Sequence, residues 1–97
     1  MIVFLKKNII ISSKKIQTWD ITNIESLTMD SFSMILDLEP EIVLVGTGDI
    51  VLSPDTEILY NFNSKNIGLE YMITESACKT FNVLLSENRN IVAALYL

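Results

Sequence analysis

Glu41-Ile42-Val43-Leu44-Val45-Gly46-Thr47-Gly48 is the stretch that decides the fold class. Ile42 to Val45 is apolar without alternation, too short for a helix, and closed by glycine. A run of that kind fits a strand covered on both faces, as in a parallel sheet. Helix-spaced segments flank it. Upstream, Met29, Phe32, Ile35 and Leu36 repeat at helical spacing, with Thr28 or Asp30 as N-cap and Pro40 as the stop. Downstream, Ser53-Pro54 predicts a helix start, with Ser53 as N-cap and Pro54 in the first helical position. Asp55 and Glu57 follow where the helix dipole favours anions, and Ile58, Leu59 and Phe62 make an inward stripe.

Further out, Asn8 to Ser12 is short and β-branched and predicts a strand, and Lys14 to Asp20 predicts a turn and an irregular return carrying Trp19. Ile67 to Ile73 predicts another strand. Thr74 then caps a third helix whose core face is Ala77, Cys78, Phe81, Leu84 and Leu85, with Asn88 as its left-handed stop. Ile91 to Leu97, almost wholly apolar, predicts a central strand. The order β-α-β-α-β-α-β predicts an α/β protein: a compact three-layer sandwich whose central sheet is mixed, mostly parallel, and flanked by about three helices. Ninety-seven residues, 49% of them hydrophobic and 20% charged, suit one core and a single domain over 1–97.

Seven basic and twelve acidic residues give a net charge of −5. An acidic chain lacks the positive footprint that phosphate backbones require, so nucleic acid is not an expected partner. Lys6, Lys7, Lys14 and Lys15 form a local basic cluster, read first as solvated strand ends and second as a contact for anionic lipid or an acidic partner. Lone Cys78 excludes an internal disulfide and fits a reducing compartment. Met1 to Leu5 is too short for a signal-peptide core, and no run reaches the ~20 apolar residues of a bilayer span. The expectation is a soluble, cytoplasmic protein with no membrane span.

The chain has no histidine, which removes the usual triads, the commonest neutral-pH base and the commonest metal ligand. No catalytic residue, metal site or cofactor is therefore expected. Gly46-Thr47-Gly48 follows a buried strand, at the strand end where open α/β sheets bind ligands. It reads first as a structural turn and second as a ligand or partner site, because GxG lacks the third glycine and the immediate helix of a dinucleotide fingerprint. Cys78 reads as a core residue on the stripe with Phe81 and Leu85, or as a thiol near a helix N-terminus. Thr74, Thr80, Asn82, Glu87 and Arg89 form a polar set around the same helix, with Glu87 and Arg89 pairing with each other or with a partner.

Gly46-Thr47-Gly48 combines with Met72-x-Thr74, Ala77-Cys78-Lys79-Thr80-Phe81-Asn82-Val83-Leu84 and Glu87-x-Arg89 in a way that resembles one domain-of-unknown-function family. That family includes mitochondrial complex I assembly factor 3 and the adipogenesis-associated Mth938-domain protein. Trp19 and the Pro54 helix start stand in register with it. The resemblance implies a three-layer α/β fold, a cleft near the glycine loop, and, in mitochondrial members, assembly of the NADH:quinone oxidoreductase through protein contacts. Asn66 and Asn88 stand where the family favours glycine, Ile73 where an acidic residue is usual, and Lys79 where arginine is usual. The family's N-terminal strand pair is expected to be mostly missing, leaving a sheet edge open to pairing.

Two functions follow. The first is a non-enzymatic protein-binding module resembling a complex I assembly factor, partnered by respiratory-complex subunits or assembly proteins. The second is a small-molecule-binding protein or unrecognised enzyme with its pocket at Gly46-Thr47-Gly48 and with Thr74, Cys78 and Arg89 nearby. Homo-oligomerisation through the open edge is a blander third reading.

Overall fold

The computed structural model describes residues 7–97. Met1 to Leu5 and Lys6, on which the leader and basic-cluster expectations partly rest, lie outside them. Five strands are described: β1 (Ile9–Ile11), β2 (Ile16–Thr18), β3 (Ile42–Gly46), β4 (Gly68–Met72) and β5 (Ile91–Leu95). The helices are α1 (Ser33–Leu36), α2 (Thr56–Ser64) and α3 (Thr74–Ser86). Spatial order is β2-β1-β5-β3-β4. The sheet is mixed, with β3 parallel to β4 and β5, and β1 antiparallel to β2 and β5.

The unbroken apolar runs have their reason in this order. Central β5 is buried at every position. Ile91, Ala93 and Leu95 face one core with Ile9, Leu44, Ala77 and Phe81, so α3 covers that side. Val92 and Ala94 face the other core, with Val43, Val45, Phe32, Ile35, Ile58 and Phe62, which places α1 and α2 opposite. Alternate residues thus enter different cores, and polar alternation has no place in these strands. The second core is stitched by aromatics: Phe32 meets Phe62 edge-on at 5.1 Å. Buried Trp19 packs beside Phe32 and donates its indole N–H to Ser31 O at 2.9 Å.

Several boundaries differ from expectation. The irregular return contains β2, paired with β1 in the register Ile10↔Gln17. Ile-Gln-Thr on an edge is too short to declare itself. The first helix is broken: a 3₁₀ turn at Ile24–Ser26 and another at Met29–Phe32 precede the single turn of α1. Thr28, not Asp30, stands at its start, where Ser31 N donates to Thr28 O and Thr28 N to Ser31 Oγ. The second helix begins at Thr56 with Asp55 as N-cap, so Ser53 and Pro54 belong to the approaching loop, and Leu59 lies exposed. Ile73, whose backbone is extended, rather than Thr74 is the N-cap of α3, and the Thr74 hydroxyl bonds Gly48 and Tyr96. Asn66 and Asn88 both adopt a φ of 62°, the conformation for which glycine or asparagine is chosen.

Candidate functional site: the glycine loop and the Tyr71 cleft

Gly46 ends β3 between Met72 of β4 and Leu95 of β5. A Cβ there would stand 2.9 Å from Thr74 Oγ1 and 3.0 Å from Thr74 Cα, so glycine is what lets the start of α3 rest on the strand. Gly48 takes a φ of +79°, which turns the loop back. Thr47 between them is 1% exposed, with its hydroxyl directed at the carbonyls of Ile50 and Met72. Its N–H donates to Met72 O at 2.8 Å.

Thr74 closes the arrangement. Its Oγ1 accepts from Gly48 N at 2.8 Å and donates to Tyr96 O at 2.7 Å, while Thr74 N donates to Gly48 O at 3.0 Å. Tyr96 N donates to Gly46 O at 2.9 Å. The loop thus fastens the carboxyl ends of β3, β4 and β5 to the first turn of α3. These donors are spent inside the chain, and a ligand at this point would have to displace them.

The other expected site residues spread along α3 and beyond. Cys78 and Asn82 border an apolar slot with Phe81 and Leu95, and burial pushes the Cys78 thiol up from its ordinary pKa. Thr80 lies on the same helix, its hydroxyl 3.5 Å from Met72 Sδ. Glu87 and Arg89 sit past the far end of α3. They do not pair with each other: Asn88 turns the chain, and Arg89 Nε donates to Glu41 Oε1 at 3.2 Å. Both partners are exposed enough for the pair to add little stability. Lys14 and Lys15, at the β1–β2 turn, border a polar cleft with Arg89 and Glu39, whereas Lys7 lies at the other end of β1. The lysine cluster of the sequence is therefore divided by the hairpin.

A second cleft, of about 250 Å³, is absent from the sequence reading. Ile24, Leu27, Leu52 and Ile58 make its apolar walls. Glu25, Ser53, Asp55 and Tyr71 supply its polar groups. Tyr71 lies near the end of edge strand β4. Burial, and secondarily the Asp55 carboxylate, push its phenol up to about 12. Asp55 stands at the N-cap of α2, yet its side chain makes no capping hydrogen bond. The sequence held no signal for this grouping, since its members come from the 3₁₀ turn, the α2 approach and β4.

The sequence model of "Protein of unknown function (DUF498/DUF598)" matches residues 3–96. The chain belongs to this family. Among curated DUF498 relatives, the "13 kDa major membrane protein" of Francisella tularensis subsp. holarctica (strain LVS) is 38% identical over 73% of the chain and 58% of its own length. The human "NADH dehydrogenase [ubiquinone] 1 alpha subcomplex assembly factor 3" is 40% identical over 79% of the chain and 43% of its own length. The chain thus spans about half the length of these curated relatives. In fold, an NMR structure from Xanthomonas campestris agrees with a TM-score of 0.87 at 30% identity, covering 94% of the chain and 70% of that protein. A "Mth938-like domain" of Bordetella pertussis, 22% identical, shares the fold with a TM-score of 0.80 over 92% of the chain and 72% of its own. Among the described residues of this DUF498 chain, no helix is long and apolar enough to cross a membrane.

Proposed function

We propose that this chain is a non-enzymatic protein-binding module of the assembly-factor kind, acting in the cytoplasm on respiratory-complex subunits or on proteins that assemble them. The relatives named as complex I assembly factors support the class of role. The structural observation that carries the reading is the segment from Ile50 to Tyr60. Val51 is 80% exposed, Tyr60 70% and Ile50 56%, with Leu59 also open to solvent. Single exposed apolar residues are ordinary, but four within eleven positions of one segment are a density suited to partner contact. In this reading the Gly46-Thr47-Gly48 loop and Thr74 are a structural brace, and the partner contacts are made by the Ile50 to Tyr60 segment.

The test is quantitative affinity capture of the tagged chain from its native cells, run beside Val51→Glu and Tyr60→Glu. The expected result is recovery of a respiratory-complex subunit or assembly protein by the wild type and its loss from the variants. Recovery of nothing above control with the tag at either end, or of the same partners by both variants, would overturn the reading. Solution mass decides the homo-oligomer reading in the same preparation.

A further inference from the structure

We propose that the cleft between Glu25, Asp55 and Tyr71 is the seat for a cationic side chain, an arginine in the first instance, presented by the partner. This rests on the protein-binding reading and specifies its chemistry. The size comes first. At about 250 Å³ the cleft falls below the ~300–1,000 Å³ typical of cofactor and drug-sized sites, and suits one anchoring side chain better than a nucleotide.

Its lining is divided as a long basic side chain is divided. Ile24, Leu27, Leu52 and Ile58 offer apolar wall to a methylene stem, while Glu25, Asp55 and the Tyr71 hydroxyl offer acceptors to the head. Neither carboxylate is in an ion pair among the described residues, where the two pairs are Lys79–Glu75 and Arg89–Glu41. Among the described residues, no lysine or arginine lines the cleft. Asp55 occupies a capping position without capping, and both it and Glu25 are solvent-exposed, so a guanidinium would replace water at their carboxylates. Tyr71 lines the same cleft and adds a hydroxyl without a further charge.

Position agrees with the role. The cleft is walled by Leu52 and Ile58, inside the same Ile50 to Tyr60 segment that exposes Val51 and Tyr60. Leu52 adjoins exposed Val51 in the chain, so a partner contact at Val51 would fall beside a wall residue of the cleft. The amino end of α2 carries partial positive charge, which opposes a cation, but Asp55 and Glu57 already offset it. Arginine is favoured over lysine because its planar fork can take both a carboxylate and a phenolic oxygen and stacks on an aromatic ring.

Two-dimensional amide NMR of the full chain, titrated with Nα-acetyl-arginine N-methylamide, tests the seat. The neutral citrulline counterpart is the control. Saturable shifts at Ser53, Asp55 and Tyr71 in the millimolar range are expected with arginine and not with citrulline. Glu25→Gln or Asp55→Asn should each weaken binding roughly two- to fivefold, as for exposed charge pairs, and the double variant should abolish it. Asparagine serves at an N-cap as well as aspartate, so the double variant keeps the fold. Equal shifts with citrulline, shifts scattered over the acidic surface, no saturable shift, or an unaffected double variant would each overturn the seat. A partner captured equally well by the double variant would also remove it, leaving the protein-binding reading intact. Absence of any captured partner would remove that reading instead, with the titration still deciding the cleft.

Discussion

Replacing Gly46 by alanine should cost this protein a large part of its stability, although the change adds a single methyl. The new Cβ would lie 2.9 Å from Thr74 Oγ1, 3.0 Å from Thr74 Cα and 3.0 Å from Leu95 Cδ2. Leu95 can rotate, but the Thr74 Cα is backbone in the first turn of α3, and its hydroxyl holds both Gly48 N and Tyr96 O. Relief requires either a shift of α3 away from β3 or loss of one of those bonds. Overpacking costs about 1–3 kcal/mol and a lost buried hydrogen bond about 1 kcal/mol, so the sum is about 2–4 kcal/mol. A domain of this length holds about 5–15 kcal/mol in all. Urea denaturation is the assay, and with a slope near ~1–2 kcal/mol/M the midpoint should fall by about 2 M. Gly68→Ala is the internal control. Its Cβ would meet nothing nearer than 3.5 Å, so its midpoint should hold or rise slightly. Thr74→Ala removes the atom nearest the new methyl, so Gly46→Ala should cost about 0.5–1 kcal/mol less in that background. A Gly46→Ala protein within about 0.5 kcal/mol of wild type, or a Gly68→Ala protein equally damaged, would refute the close approach of strand and helix.

Thr47→Val keeps the shape but removes the hydroxyl from the Ile50 and Met72 carbonyls, and should cost about 1–3 kcal/mol in the same denaturation assay. In an alkaline titration followed by tyrosinate absorbance, Tyr71 should ionise near its raised value of about 12, and Tyr71→Phe should remove that late phase. Because the folded pKa is raised, the unfolded chain loses its phenolic proton first. The Tyr71 contribution is therefore whole below about pH 10 and is lost as pH rises from there to about 12. Two pH units correspond to about 2.7 kcal/mol, and the half-open cleft reduces this to about 1 kcal/mol. Cys78, its thiol raised by burial beside Phe81 and Leu95, should alkylate more slowly than cysteine in an unstructured peptide at mildly alkaline pH. Faster alkylation would identify it as an activated thiol.

Much of the scaffold was written in local pattern. The unbroken runs Ile42–Val45 and Ile91–Leu97 announce strands with a core on each side; Val43–Val45 and Ile91–Leu95 are buried, while Ile42 is half-buried and the last strand stops before Tyr96 and exposed Leu97. Ala77 and Phe81 face the core of α3 as their spacing requires, and Asn66 and Asn88 stand at left-handed turns. β2 escaped notice because three edge residues with one partner carry almost no periodic signal. The broken first helix escaped because 3₁₀ turns use the same apolar spacing over lengths too short to separate from an α-helix.

The sequence by itself determined the class of fold, the two-sided cores and the lack of histidine-based chemistry, since each depends on residue type and near-neighbour spacing. It also grouped Gly46-Thr47-Gly48 with Thr74, Cys78 and Arg89, of which Thr74 meets the loop and Arg89 lies past the far end of α3. Only the tertiary structure decided what they do, because the bond from Gly48 N to Thr74 Oγ1 joins residues whose separation depends on β3 and α3 meeting. The same holds for Arg89, which finds Glu41 just before the neighbouring strand rather than Glu87 beside it, and for Glu25, Asp55 and Tyr71, which share one cleft from three elements. Burial, a phenol's altered acidity and an unused carboxylate are properties of neighbours in space, and no spacing along the chain encodes them.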